Sequence, residues 1–190
     1  MRTWFAMRRS TAILLAAAAL AGCGSDEPPK SAAPSPADTR RSLAGAPPPL
    51  AAIHRQANRL LPGGEAAFER RLRELRGHPV VVNKWASWCP PCRAEFPHFQ
   101  RLSVELGREV AFVGVDSRDD PEPAREFLRE FPVSYPSYED PDERVARVFG
   151  GHLAFPVTAF YDRAGKRVFV KQGGYESEAR LREDIERYAR

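Results

Sequence analysis

The sequence predicts an α/β domain with a central mixed β-sheet flanked by helices. Short runs of buried-strand composition alternate with amphipathic helical patterns, and two further strand runs enclose Arg163-Ala164-Gly165-Lys166, a turn typical of a hairpin. Strands separated by helices, then closed by a hairpin and a last helix, indicate a mixed sheet. The predicted strands cover 79–86, 110–116, 157–162 and 167–171. The predicted helices cover 90–106, 122–131, 143–149 and 177–189.

The starts of the later helices have recognisable signals. Asp120-Pro121 and Asp140-Pro141 each place a capping residue before a proline, and Ser177 is a capping residue for the last helix. Pro97 lies inside the helical pattern that begins at residue 90, and we expect it to interrupt that helix.

Two amphipathic segments, 50–61 and 65–76, predict a helical extension ahead of the first strand. We interpret this extension as a cap on the domain, so the folded domain is expected to cover 50–190; the alternative is a partner surface. The chain has 190 residues, of which 43% are hydrophobic and 28% charged. This composition is typical of one globular domain with tails, and it excludes a fully disordered chain and a multi-span membrane protein.

Residues 1–22 have the pattern of a lipoprotein-type signal peptide. Three arginines precede an apolar run at 11–21 that is too short to cross a hydrocarbon core of about 30 Å. Leu20-Ala21-Gly22-Cys23 resembles a lipobox, which predicts cleavage before Cys23 and lipidation of its thiol. Ordinary secretion and an uncleaved anchor are the alternatives, and Arg8-Arg9 lacks the apolar pair that usually follows a twin-arginine signal.

Residues 23–49 are rich in proline and poor in large aliphatic side chains, which predicts a lipidated Cys23 followed by an extended, disordered tether. Such a tether would hold a domain off a membrane. The formal net charge of +4 comes largely from the arginines of the signal segment. We therefore predict no nucleic-acid partner.

The chemistry is predicted to lie in Trp88-Cys89-Pro90-Pro91-Cys92, where a strand turns into a helix. Free N–H groups and the helix dipole favour an anion at that position, which lowers the pKa of the Cys89 thiol and makes it the nucleophile. Cys92 follows one turn later, within disulfide reach, and is expected to be the less exposed, resolving thiol. Pro90 and Pro91 suit a first helical turn, which needs no N–H donors.

Other readings of the two cysteines are weaker. A zinc site needs further ligands at close spacing, a copper site of the thioredoxin-like chaperone kind has a longer Cys–Cys spacing, and a peroxidase would use a lone cysteine. A purely structural disulfide would close too small a loop to stabilise the fold much. No metal or organic cofactor is therefore expected. The available histidines are scattered: His54, His78, His98 and His152.

Residues 80–97, VVVNKWASWCPPCRAEFP, resemble the active-site segment of the thioredoxin-like TlpA/ResA-type family of membrane-tethered thiol–disulfide oxidoreductases. The resemblance extends over 68–190 and implies a thioredoxin-like fold. Phe155-Pro156 lies where this family has a cis-proline loop, which implies a cis Pro156 and a Phe155 backbone that pairs with an extended substrate beside Cys89.

The resemblance also assigns roles to single residues. Glu95 matches a glutamate that the family places near its thiols, where a carboxylate raises thiol pKa values and transfers protons; an exposed helical acid is the alternative. Trp88 is expected to cover one side of the sulfurs, and Trp85 to pack in the core. Asn83 stands where thioredoxin has a buried acid, and Lys84 replaces an apolar strand residue. The substrate-binding residues are predicted to be Trp88, Pro90, Pro91, Phe155 and Pro156.

The function implied by the resemblance is reduction of disulfides in exported proteins, for example during cytochrome c maturation. The predicted partners are disulfide-bearing exported clients, a membrane thiol electron donor, and the membrane itself through the lipid on Cys23. The predicted location is the outer face of the cell membrane. Two alternatives are a disulfide-forming oxidase on the same fold and a redox-switched binding module.

Overall fold

The computed structural model describes Met1 and residues 33–190. The predicted lipidation site Cys23, nearly all of the predicted signal segment and the first part of the predicted tether lie outside the described residues. None of the described helices is long and apolar enough to cross a bilayer.

Residues 33–190 form seven helices and a six-stranded mixed sheet. The strands are β1 Leu60–Leu61, β2 Val80–Trp85, β3 Ala111–Ser117, β4 Ser137–Asp140, β5 Val157–Tyr161 and β6 Arg167–Gln172. The helices are α1 Pro36–Leu43, α2 Pro48–His54, α3 Gly64–Glu74, α4 Pro90–Glu105, α5 Pro121–Glu130, α6 Arg144–Val148 and α7 Glu178–Tyr188.

The strand order is β1-β4-β3-β2-β5-β6, which confirms the predicted mixed sheet. Strands β1, β4, β3 and β2 pair in parallel, whereas β5 pairs antiparallel with both β2 and β6. Every residue of β2 and β3 is buried. Strand β2 lies between β3 and β5, so the segment after β2 starts from the buried interior of the sheet.

Trp85 at the end of β2 packs in the core, as predicted. Its ring stacks on Phe127 at 4.8 Å between centroids, and its Nε1 donates to Ser137 Oγ at 3.0 Å. This bond crosses Gly114 of the intervening strand β3, where a Cβ would lie 2.0 Å from Ser137 Oγ. Glycine is the residue that this close approach requires.

Helix α4 is continuous from Pro90 to Glu105, so the predicted interruption at Pro97 is wrong. The proline has no N–H to donate to the carbonyl of Arg93, which removes one bond of the helical ladder. Phe96 and Phe99 on either side of it are fully buried, and their packing keeps the helix intact.

The predicted tether is wrong over its last part, because 36–43 and the start of α2 at 48–49 are helical. Ser35 accepts a hydrogen bond from the Asp38 N–H at 3.1 Å, and Pro36 occupies the first helical turn. These are the same start signals that the sequence uses for its later helices. Helix α1 contacts α4, and Leu43 lies directly over Gly107, where a Cβ would be 2.6 Å from Leu43 Cδ2.

The segment 50–61 is helical only as far as His54, and Leu60–Leu61 form β1 against β4. Strand β4, Ser137–Asp140, was not predicted because its sequence Ser-Tyr-Glu-Asp has no apolar run. The predicted capping role of Asp140 is present, although α6 begins only at Arg144. The Asp140 carboxylate accepts hydrogen bonds from the Val145 and Ala146 N–H groups at 2.8 and 2.9 Å.

Candidate active site

The predicted Cys-Pro-Pro-Cys motif lies at the junction between β2 and α4. Cys89 is the N-cap of α4, and Cys89 and Cys92 form a disulfide with a Cα–Cα distance of 5.3 Å. The Cys92 N–H points at Cys89 Sγ, 3.2 Å away. Pro90 and Pro91 occupy the first helical turn, where no N–H donor is needed. A thiolate formed at Cys89 on reduction would therefore face free N–H groups at a helix start.

Both cysteines are enclosed in this oxidised state. Cys89 is 1% exposed and Cys92 is fully buried, so the expected contrast in their exposure is absent. The exposed residue is instead Trp88, at 52%. Its ring packs on Phe155 at 4.9 Å, and its Nε1 donates to the Arg118 carbonyl at 2.8 Å.

The Phe155–Pro156 bond is cis, as the resemblance implied. Gly174 lies between this loop and helix α4. A Cβ built on Gly174 would lie 3.5 Å from the Pro91 carbonyl oxygen, and 3.6 Å from both Pro156 Cγ and Glu95 Oε2. The structure therefore brings Pro156, Pro91 and Glu95 together around Gly174, although long stretches of chain separate them.

Glu95 is fully buried, one helical turn beyond Cys92, so the alternative of an exposed acid is wrong. Its Oε1 accepts from Asn83 Nδ2 at 2.8 Å, and its Oε2 accepts from the Tyr175 N–H at 2.9 Å. Burial raises the pKa of Glu95 to about 7, against the opposing effects of these two hydrogen bonds and the Lys171 charge. A carboxyl with this pKa can hold or release a proton near neutral pH.

Asn83 is suited to either protonation state of Glu95. Its Oδ1 is buried and has no hydrogen-bond partner. When the carboxylate is charged, Asn83 Nδ2 donates to it, as observed. When the carboxyl is protonated, a reversed amide would present Oδ1 as the acceptor for its O–H.

Two residues of this environment were missed by the sequence reasoning, Lys171 and Tyr175. Lys171 Nζ donates to the carbonyls of Gly173 and Gly174 at 2.9 and 2.8 Å and lies over the Tyr175 ring at 4.6 Å. These contacts hold the loop that presents the Tyr175 N–H to Glu95. No local pattern in the sequence marks these residues, because Glu95, to which Tyr175 donates, is 80 positions away from Tyr175.

The Lys84 side chain points into the protein and is fully buried, although it replaces an apolar residue of the strand. Its Nζ donates to Glu143 Oε1 at 2.6 Å and to the Gly151 and Ala154 carbonyls at 3.0 and 3.2 Å. Burial lowers the pKa of Lys84, and the Glu143 carboxylate opposes that shift.

The loop between β3 and α5 holds the turn that leads to Cys89. The Asp119 carboxylate accepts hydrogen bonds from the Ser87 N–H and from Ser87 Oγ, the latter at 2.9 Å. Asp116, at the end of β3, is buried beside it, and burial together with the Asp119 charge raises the pKa of Asp116 to about 9. Asp116 is therefore uncharged at neutral pH. Neither residue was predicted, because Ser87, the partner of Asp119, lies 32 positions earlier in the chain.

A disulfide at a helix start, a cis-proline loop beside that helix and this mixed sheet define a thioredoxin-like protein with a dithiol–disulfide centre. The chain belongs to the AhpC/TSA family, whose sequence pattern matches residues 60–168.

Individual relatives are named for thiol chemistry. The chain is 31% identical over 104 residues to the thiol-disulfide oxidoreductase ResA of Halalkalibacterium halodurans, covering 54% of this chain and 58% of the relative. It is 38% identical over 99 residues to the thiol:disulfide interchange protein DsbE of Pseudomonas aeruginosa, covering 50% and 53%. The match thus spans a little over half the length of these relatives.

A solved structure agrees with the fold. A secreted Mycobacterium tuberculosis disulfide oxidoreductase, described as homologous to DsbE of Escherichia coli, superimposes with a TM-score of 0.53 at 26% identity. The superposition covers 60% of this chain and 85% of that one.

Proposed function

We propose that this protein is a thiol–disulfide oxidoreductase of the ResA/DsbE type that reduces disulfides in exported proteins. The observation that carries the proposal is the Cys89–Cys92 disulfide at the start of α4, one turn from the buried carboxyl of Glu95. The names of the relatives support the same chemistry. The reaction uses the dithiol alone, without a metal or organic cofactor.

In the proposed reaction the reduced protein attacks with Cys89. The Cys89 thiolate breaks the client disulfide, forms a mixed disulfide with one client sulfur and releases the other as a thiolate. The Cys92 thiolate then attacks Cys89 Sγ, which forms the Cys89–Cys92 disulfide and releases the second client sulfur. Two electrons pass to the client, and a thiol donor returns two electrons to the protein by the same steps in reverse.

Glu95 is the proposed proton acceptor for this exchange. The Cys92 thiol must lose a proton before it attacks the mixed disulfide, and a carboxylate with a pKa of about 7 accepts a proton at neutral pH. Its position one turn beyond Cys92 places it on the same face of the helix. Asn83 stabilises Glu95 in both protonation states.

The N-terminal sequence supports a proposal for the cellular location of the reaction. We propose an extracytoplasmic protein anchored through lipid on Cys23, with a membrane thiol donor and with clients such as those of cytochrome c maturation. The secreted relative supports an extracytoplasmic location. The half-exposed Trp88 and the adjacent Phe155 supply the surface on which a client strand would lie. The exposed Pro90 and Pro91 and the buried Pro156 are the other proposed client-binding residues.

Trapping of the mixed disulfide tests the proposal. The full chain carrying Cys92→Ala cannot resolve the intermediate, so incubation of the reduced variant with insulin should give a covalent adduct that dithiothreitol releases. The matched Cys89→Ala variant should give no such adduct. Insulin binding without any adduct from Cys92→Ala would contradict the enzyme and favour a redox-switched binding module.

A further inference from the structure

The loop 151–155, here called the Leu153 loop, leads directly into the cis-proline. The buried side chain of Lys84 contacts this loop from the protein interior. Lys84 Nζ donates to the carbonyls of Gly151 and Ala154, at the two ends of the loop's projecting part. The same ammonium lies 3.7 Å from the centroid of the Phe155 ring. One charged group therefore contacts three of the five residues of the loop.

Lys84 has a complete set of partners. An ammonium has three N–H donors, and Lys84 has three acceptors: the two loop carbonyls and Glu143 Oε1. Glu143 also neutralises its charge. This arrangement leaves no unpaired donor in the interior, which is the condition under which a buried cation is tolerated.

Stability alone does not explain a lysine at this position. Every residue of β2 is buried, and apolar residues of similar volume are generally at least as stabilising as a buried ion pair. What an apolar residue would not supply is donors for the carbonyls of the loop. The contacts of Lys84 thus act on the shape of the loop more than on the strand that carries it.

The part of the loop between these contacts projects outward. Leu153 is 76% exposed, and among residues 33–190 the only other exposed large hydrophobic side chains are Trp88 and Val168. Trp88 packs on Phe155 beside the disulfide, whereas Val168 lies on β6. Trp88 therefore contacts the Phe155 ring, and Leu153 precedes Phe155 by two residues in the same loop.

We propose that Lys84 is a positioning residue that shapes the Leu153 loop so that Leu153 contacts an apolar side chain of the client next to its disulfide. This inference rests on the proposed function, because it assumes that the client is a polypeptide. The protein should therefore prefer client disulfides whose cysteines have large apolar neighbours in the client sequence. The rate of reaction with a small-molecule disulfide, which has no such neighbour, should not depend on the Leu153 loop.

Kinetics with two disulfides test this assignment. The reduced full chain is assayed with insulin and with the small disulfide 5,5′-dithiobis(2-nitrobenzoate). Leu153→Ser and Lys84→Met should each lower kcat/KM for insulin about five- to tenfold, mainly through KM, as expected for loss of a central apolar contact. The rate with the small disulfide should change less than about twofold, since chemistry at Cys89 is untouched. Val168→Ser is the matched control for loss of an exposed apolar side chain.

A further variant separates positioning from folding. Lys84→Met with Glu143→Gln removes the ammonium without leaving an unpaired carboxylate, and should show the same selective loss. Leu153→Ser changes an exposed side chain and is expected to fold as the wild type does. If the wild type reduces insulin and all the variants match it, the inference is overturned while the proposed function stands. If the wild type reduces only the small disulfide, both are overturned.

Discussion

At Glu95, burial and hydrogen bonding act on the same carboxyl in opposite directions. Asn83, the Tyr175 N–H and the Lys171 charge favour the ionised form, whereas removal from water favours the neutral form. Burial dominates, and the pKa rises to about 7. A single residue on the helix that carries the cysteines therefore changes its charge near neutral pH.

This shift predicts a pH-dependent stability. A pKa raised from 4.5 to about 7 means that the native state binds more protons than the unfolded state between these values. The contribution of Glu95 to the free energy of unfolding should therefore fall as pH rises from 4.5 to 7, by about 3 kcal/mol in all. Urea unfolding of the oxidised chain at a series of pH values measures it.

Glu95→Gln should lack this decline and gain stability relative to the wild type above pH 7. The exposed Glu109→Gln serves as the control and should leave the pH profile unchanged. A constant difference between wild type and Glu95→Gln across the pH range would contradict the assignment.

Between elements, the decisive contact joins the β3–α5 loop to the turn before Cys89. Two residues of the turn donate to this loop. Ser87 donates to Asp119 through both its N–H and its hydroxyl, and Trp88 donates to the Arg118 carbonyl. The turn has no strand partner of its own, because β2 ends at Trp85 and α4 begins at Pro90. The loop therefore replaces the missing ladder bonds.

Removing the Asp119 carboxylate should lower the free energy of unfolding. Asp119→Ala leaves the Ser87 N–H without its partner, which should lower the free energy of unfolding by about 1–3 kcal/mol. Chemical denaturation of the oxidised full chain measures the loss. Asp120→Ala is the matched control, because the Asp120 side chain forms no cap on α5. Equal stabilities for the two variants would show that the loop does not hold the turn.

For the whole molecule, the direction of electron flow depends on the relative free energies of the oxidised and reduced folds. The reductase proposal predicts a Cys89–Cys92 reduction potential near about −250 mV or lower, in the thioredoxin range. Equilibration of the full chain with a dithiothreitol or glutathione buffer measures it. A value near about −120 mV, in the range of strong periplasmic oxidants, would identify a disulfide-forming enzyme instead.

Elements with a strong local pattern were predictable from the sequence. Strands β2 and β3 each begin with three apolar residues, and α5 and α7 have start signals, so the alternation of strands and helices was predictable. Helix α1 and strand β4 were not predictable from the sequence. The first lies in a proline-rich segment and the second is a polar tetrapeptide, and each is stabilised by contacts with distant parts of the chain.

The sequence by itself determined the chemistry of the site, because a Cys-Pro-Pro-Cys motif between a buried strand and a helix is a local feature. Only the tertiary structure decided the environment of that motif. Three contacts of that environment join residues far apart in the chain. Glu95 accepts a hydrogen bond from the Tyr175 N–H, Lys84 donates to the Ala154 carbonyl, and Asp119 accepts from Ser87. The physical reason is that a side chain's burial and hydrogen-bond partners depend on which distant segments pack against it, and local residue patterns do not encode them.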